Sequence, residues 1–170
     1  MAPTKTVIYL VRRDLRVADN PILHYLGTTR DHGFTHLLPV YIFPAHQVEL
    51  SGFICNSKAV NPYPPPRSKV GNFWRCGPYR AAFIAESVWQ MKLTLETLGS
   101  GLCVRVGSFP DVVGALIDGL KRSGYPVGAV WMTEHEGTEE KSDEKHMASM
   151  CEANGAEFKL WTDEKYYMDE

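Results

Sequence analysis

Val7-Ile8-Tyr9-Leu10-Val11-Arg12-Arg13-Asp14-Leu15-Arg16-Val17-Ala18-Asp19-Asn20-Pro21 decides the fold of this chain. An apolar run flows into a dense Arg/Asp cluster, and a capped helix begins at once. No polar residue alternates with the apolar ones between Val7 and Val11, so the run reads as a strand buried on both faces. Asn20 is a good N-cap and Pro21 suits the first helical position, so a helix starts there. Arg12, Arg13, Asp14, Arg16 and Asp19 therefore lie at the C-terminal end of the first strand. That edge is where open α/β sheets place their ligands. The same charges can instead pair with one another and pin the turn.

The pattern recurs along the chain. Strands are expected at Val7–Val11, Leu37–Phe43, Leu102–Val106, Val127–Met132 and Glu157–Trp161, and helices at Pro21–Leu26, Tyr79–Leu98, Pro110–Ser123 and Glu139–Asn154. Strands alternating with helices imply an α/β fold: a Rossmann-like, doubly wound, five-stranded parallel sheet with helices on both faces. Ile84, Val88, Met91, Leu95 and Leu98 form the apolar stripe of a helix packed on that sheet, and Val113, Leu116, Ile117 and Leu120 form another. Thr138 is a candidate cap for the last helix, with Glu139 and Glu140 in its positive first turn. Asn154-Gly155 is a left-handed stop. Residues 44–78 show no clear element, and Pro62-Tyr63-Pro64-Pro65-Pro66 excludes a regular strand or helix there. A connection of that length is functional, disordered, or packed against a second domain.

Composition sets the class. The chain has 170 residues, 44% hydrophobic and 22% charged, which suits one globular domain able to bury a real core. A formal net charge of −2 gives no overall electrostatic footprint for nucleic acid. Cys55, Cys76, Cys103 and Cys151 lack C-x-x-C spacing and read as reduced thiols of an intracellular protein. No apolar run reaches membrane-spanning length, and the first residues lack the apolar core of a signal peptide.

Common catalytic and nucleotide signatures are missing from the sequence. Neither G-x-G-x-x-G after the first strand nor the P-loop pattern occurs, and Gly99-Ser100-Gly101 precedes a strand and reads as a helix stop. His135-Glu136 lacks the second histidine of a zinc helix, since position 139 is Glu139, so no metal site is expected. The four tryptophans, Trp74, Trp89, Trp131 and Trp161, read as core or edge aromatics. Glu86 is the carboxylate that stands out. At about 100° per residue it lies about 200° from Ile84, on the face opposite the core stripe. Tyr79, Ala82, Gln90 and Leu93 share that face. It is too apolar for ordinary solvated surface and too polar for core. A surface glutamate near aromatic neighbours is one account of it, and a ligand or partner domain is the other.

Taken together, these residues resemble a known family. Arg12-Arg13-Asp14-Leu15-Arg16-Val17-Ala18-Asp19-Asn20 is similar to the first strand-to-helix turn of photolyases and cryptochromes, and Leu38-Pro39-Val40-Tyr41-Ile42-Phe43 to their second strand. Phe73-Trp74-Arg75-Cys76-Gly77-Pro78-Tyr79-Arg80-Ala81-Ala82-Phe83-Ile84-Ala85-Glu86-Ser87-Val88 and Leu160-Trp161-Thr162-Asp163-Glu164-Lys165-Tyr166-Tyr167 resemble the DASH cryptochromes, fungal members above all. The match covers essentially the whole chain. The insert from Asn61 to Pro66 departs from the shorter bacterial and plant pattern.

The resemblance implies an N-terminal α/β antenna domain over residues 1–170, followed in the family by a C-terminal helical domain that holds FAD and receives DNA. The chain ends just after the fifth strand, so that helical domain is expected outside it, as FAD and DNA partner of the same parent. In the DASH subgroup the antenna is usually 5,10-methenyltetrahydrofolate, held in the cleft between the two domains. On the F-x-x-E-S-V pattern, the glutamate given to the pterin is Glu86, with Arg80 and Phe83 as neighbours on the same wall. A carboxylate suits that role because it accepts two hydrogen bonds from an amino-pyrimidinone edge. The Arg13/Asp14 turn is read as mainly structural.

The expected function is light harvesting for a DASH-type blue-light photoreceptor or photolyase-like flavoprotein, whose family repairs cyclobutane pyrimidine dimers, DASH members favouring single-stranded DNA. The chain alone is expected to catalyse nothing and to hold folate weakly, because the flavin and part of the cleft lie elsewhere. Two alternatives stand beside this reading. One is a small nucleotide- or flavin-binding domain whose crevice is lined by Arg13, Asp14 and the Glu134–Thr138 loop. The other is an interaction module that docks a protein on the Glu86 face.

Overall fold

The computed structural model describes residues 4–49 and 60–163. Nine elements alternate: β1 (Thr6–Val11), α1 (Pro21–Thr28), β2 (His36–Pro44), α2 (Pro78–Thr97), β3 (Cys103–Gly107), α3 (Phe109–Arg122), β4 (Val127–Thr133), α4 (Thr138–Ala153) and β5 (Glu157–Trp161). Every expected strand and helix is present, with ends displaced by at most two residues. The strands form one parallel sheet in the order β3-β2-β1-β4-β5. β1 is thus central, and the winding direction reverses between β1 and β4.

Side-chain alternation on the central strands assigns the helices to two layers. Val7, Tyr9 and Val11 point into one core with Ile22 of α1 and Val88, Met91 and Leu95 of α2. Ile8 and Leu10 point into the other, with Val113 and Ile117 of α3 and Met147 and Cys151 of α4. All six residues of β1 are buried, as an uninterrupted apolar run at the centre of a two-sided sheet requires. Pro39 sits within β2 opposite Tyr9 of β1, but pairing with β3 begins only at Val40. At Pro39 one side of β2 is therefore an edge, where a missing N–H costs no ladder bond.

Local signals account for the helix ends. Asn20 Oδ1 accepts the Leu23 N–H at 3.0 Å, as an N-cap should. α4 corrects the expectation for Thr138: Gly137 is the N-cap and Thr138 is the first helical residue, so its hydroxyl is past the capping position. Gly155, at φ +68°, supplies the left-handed stop. α2 corrects another expectation. Leu98 follows the last helical residue and is 67% exposed, so the buried stripe ends at Leu95. Of the tryptophans, Trp131 is core and Trp161 half-buried, whereas Trp74 and Trp89 are exposed. Cys76, Cys103 and Cys151 are free thiols, and Cys55 lies outside the described residues. Among the described residues no group of His, Cys, Asp and Glu could hold a metal ion. Among the described residues no helix is long and apolar enough to cross a membrane. The described part of the irregular connection holds no helix and only an isolated bridge between Arg67 and Trp74.

Candidate functional site: three concavities along the carboxyl edge of the sheet

The charges that follow β1 do not simply pair among themselves. Arg12 keeps the parity of Ile8 and Leu10, so its side chain turns towards α3 and α4. It is 9% exposed, lies over the Phe109 ring, and donates from Nη2 to Asp143 Oδ2 at 3.2 Å. Its Nη1 is 3.6 Å from Glu144 Oε1 and, although buried, makes no hydrogen bond. Arg13 pairs with Glu140, so a carboxylate of the positive first turn of α4 is tied to the β1 loop. Only Arg16 and Asp14 pair within the cluster, at 3.0 Å, and Arg16 also reaches Asp163 after β5 at 2.5 Å. Asn20 locks this loop from below: its amide donates to the buried Tyr9 hydroxyl at 2.7 Å and to Asp14 Oδ2 at 3.3 Å. Burial pushes the Tyr9 hydroxyl up to about 12, against the opposing pull of the Asn20 hydrogen bond.

Among the described residues, three concavities adjoin this cluster of charges. The first, about 470 Å³, lies at the switch point and is lined by Arg13, Asp14, Arg16, Glu134, His135 and Asp163, among others. This is the crevice expected from the Arg13/Asp14 turn and the loop after β4. Burial, then Arg12 and Arg13, hold the His135 imidazole below its ordinary value. The second, about 500 Å³, lies towards β2 and is lined by Arg12, Tyr41, Val48, Arg80, Phe83 and Phe109 among others. Tyr41 is held up at about 12, chiefly by burial. The third is a shallow, open hollow of about 480 Å³, bounded by Asp14, Leu15, Arg16, Phe83, Glu86, Ser87 and Gln90.

The expected site residues are therefore divided. Glu86 and Phe83 share the shallow hollow, and Arg80 and Phe83 share the deeper cavity beside it. Arg80 and Glu86 border no common concavity, because six residues at about 100° each leave them about 120° apart around α2. Phe83, between them, is 70% exposed and belongs to both walls. Glu86 is exposed and has no hydrogen-bond or ion-pair partner among the described residues, and Gln90 of its face lies beside it in the hollow. Tyr79 is 92% exposed and Leu93 39%. The outward side of α2 is thus an aromatic-rich surface with one unpaired carboxylate. Sequence reading placed Arg12 at the carboxyl edge but missed Tyr41 and Phe109 as wall residues. The parity of Arg12 with Ile8 and Leu10 was the available signal for the face that it lines.

A parallel sheet of order 3-2-1-4-5 with helices on both faces defines a Rossmann-like α/β domain, and these concavities lie at the carboxyl ends of the strands. Residues 7–167 match the family model of DNA photolyase, and the chain belongs to that family. It is 58% identical over 167 residues to a protein of Neurospora crassa named as a cryptochrome DASH, with a mitochondrial designation, covering 98% of this chain and 22% of the relative. It is 52% identical over 170 residues to one of Gibberella zeae named as a cryptochrome DASH, covering 100% of this chain and 24% of the relative. The chain thus spans about a quarter of the length of these relatives. Among solved structures it is similar to an archaeal photolyase of Sulfolobus tokodaii described with two FAD molecules, at TM-score 0.66 and 22% identity, covering 92% of this chain and 29% of that one. At that identity the likeness shows the fold alone.

Proposed function

We propose that this chain is the light-harvesting antenna domain of a DASH-type cryptochrome, a blue-light photoreceptor or photolyase-like flavoprotein. It would hold 5,10-methenyltetrahydrofolate on the outward side of α2, against a helical FAD-holding domain. The observation that carries the reading is the hollow at Glu86: an exposed, unpaired carboxylate beside an exposed phenyl ring. The residues fit such a group. Glu86 can accept two N–H bonds from an amino-pyrimidinone edge, Phe83 offers a ring face to a flat heterocycle, and Gln90 adds a donor and an acceptor. The hollow is open, so a pigment there would be only half enclosed by this chain. The bound folate would supply a strong near-ultraviolet absorption and pass its excitation to a flavin without any bond changing. What the chain itself contributes is orientation, through Glu86, and exclusion of water from one ring face, through Phe83.

The test is Glu86→Gln in a protein extended to the length of the relatives, with folate and flavin measured separately by absorption after native purification. Reduced folate content with unchanged flavin content is expected. Unchanged folate content would remove Glu86 from the site. A repair assay on residues 1–170 should show no light-dependent dimer reversal, and reversal would refute the antenna role. A second reading keeps one specific observation in its favour: the buried, hydrogen-bond-free Nη1 of Arg12 at the wall of the 500 Å³ cavity suits an anionic nucleotide or flavin. A flavin spectrum carried by residues 1–170, lost on Arg12→Met, would favour that reading over the folate one.

A further inference from the structure

The proline run between β2 and α2 is anchored at two points and exposed between them. Tyr63 is half-buried and packs against the core cluster of Val88 and Met91. A Cβ at Gly107, where φ is +147°, would stand 2.8 Å from the Tyr63 hydroxyl, so glycine at the end of β3 lets that side chain approach. The Tyr63 N–H donates to Asn61 Oδ1 at 3.0 Å. Pro66 is buried, and its carbonyl accepts the Arg75 N–H at 3.0 Å. Pro62, Pro64 and Pro65 are exposed.

Proline chemistry makes this stretch stiff. Each proline fixes its own φ near about −65°, and Tyr63, Pro64 and Pro65 each precede a proline and so avoid the helical region. Tyr63-Pro64-Pro65 is thereby held near polyproline II, with about three residues per turn, until the Arg67 N–H closes the run on Pro65 O at 2.8 Å. That period sets Tyr63 and Pro66 on one edge, which is the buried edge, and turns Pro64 and Pro65 outward. Among the described residues the carbonyls of Tyr63 and Pro64 accept no hydrogen bond. A rigid Pro-Pro pair with free carbonyls suits a groove lined by aromatic rings, because ring packs on ring and a groove donor reaches a carbonyl at little entropic cost.

The charge beside the pair has one sign. Arg67 follows the run, with its guanidinium 4.0 Å from the Trp74 ring and Nη1 donating to Asn72 O at 2.8 Å. Among the described residues neither Arg67 nor Lys69 has a carboxylate partner, since Glu139 is taken by Arg75. We propose that Pro64-Pro65, with Arg67 beside it, is a docking site for a protein module of the WW type. Such a module is a small domain that holds a Pro-Pro pair between two aromatic rings, here with a carboxylate placed to meet Arg67. Pro62, Pro65 and Arg67 also have the P-x-x-P-x-R spacing of SH3 ligands. The turns at Asn61–Tyr63 and at Pro66 leave fewer residues extended than that longer groove spans. The inference goes beyond the antenna reading and does not depend on it.

The test is calorimetric titration of the 170-residue chain with a purified WW domain that binds Pro-Pro-Arg peptides. Saturable one-to-one binding is expected, weakened about tenfold by Pro64→Ala with Pro65→Ala. Arg67→Gln should weaken it about threefold and flatten its dependence on salt. Pro78→Ala, at the exposed first position of α2, should leave it unchanged. Should the double proline variant lose its circular dichroism signal, the unaltered chain is titrated instead with a WW domain whose groove tryptophan is changed to alanine, and binding about tenfold weaker is expected. Three results would each overturn the proposal: no saturable binding, equal loss on Pro78→Ala, or an SH3 domain selective for P-x-x-P-x-R peptides bound more tightly than the WW domain.

Discussion

Replacing Arg12 by methionine keeps an apolar stem over Phe109 and removes the charge. The side chains of Arg12, Asp143 and Glu144 are 5%, 20% and 6% exposed, so the substitution leaves two carboxylates largely out of water. Breaking a buried ion pair from one side costs about 3–5 kcal/mol. Glu144 retains the His135 N–H at 3.0 Å and Lys141 at 3.6 Å, which places the loss near the lower end, about 3 kcal/mol. For a chain of this length that lowers the thermal midpoint by about 6–12 °C. The triple variant Arg12→Met/Asp143→Asn/Glu144→Gln strands no charge and should lose only about 1 kcal/mol. The dependence on pH has a definite sign. Burial already lifts the Asp143 carboxyl above its ordinary range, against the pull of His46 and Arg12, and without Arg12 the lift grows. A carboxyl raised in the fold lends stability at low pH that is lost as pH rises, so the single variant's deficit should be smaller at about pH 5 than at about pH 7. Urea denaturation followed by circular dichroism at both values measures it. Equal instability of the single and triple variants, or a deficit that ignores pH, would refute the account of Arg12 as a buried clamp.

Two further outcomes are expected. His135 is held below its ordinary value in the fold, so the unfolded chain takes the proton first, and stability falls as pH drops below about 6.5. His135→Gln should flatten that part of the stability–pH curve; parallel curves for the two proteins would show that the histidine is not the titrating group. Asn20→Ala removes the α1 cap and the donor to the Tyr9 hydroxyl, and should cost about 1–2 kcal/mol. Adding Tyr9→Phe to Asn20→Ala should return part of it, since no buried hydroxyl is then left without its partner. If the double variant is weaker than Asn20→Ala alone, the Asn20–Tyr9 bond is not what holds the loop.

The path from Arg12 to α4 illustrates where reading a sequence ends. The Arg/Asp cluster after β1 offered two accounts, mutual pairing or a ligand edge, and mutual pairing holds for only part of it. Arg16 pairs with its near neighbour Asp14, a contact legible from spacing. Arg12 and Arg13 instead find Asp143, Glu144 and Glu140, more than a hundred residues away, because the crossover after β4 lays α4 over the face to which Arg12 points. Similarly, helical phase placed Glu86 away from the core, and the structure leaves it exposed in a hollow. Phase also turned Arg80 about 120° from Glu86, but which walls meet each of them, Tyr41, Val48 and Phe109 for the one and Asp14 and Arg16 for the other, was set by the fold.

Local chemistry, by itself, determined the elements. An unbroken apolar run makes a buried strand, Asn20-Pro21 starts a helix, and the stripe from Ile84 to Leu95 buries one side of another, since each follows from backbone hydrogen bonding and side-chain period over a few residues. Which charges meet, how the carboxyl edge is partitioned into three hollows, and which aromatic groups stay wet were decided only by tertiary structure. Those features depend on strand order and crossover, and hence on surfaces that chain distance does not encode.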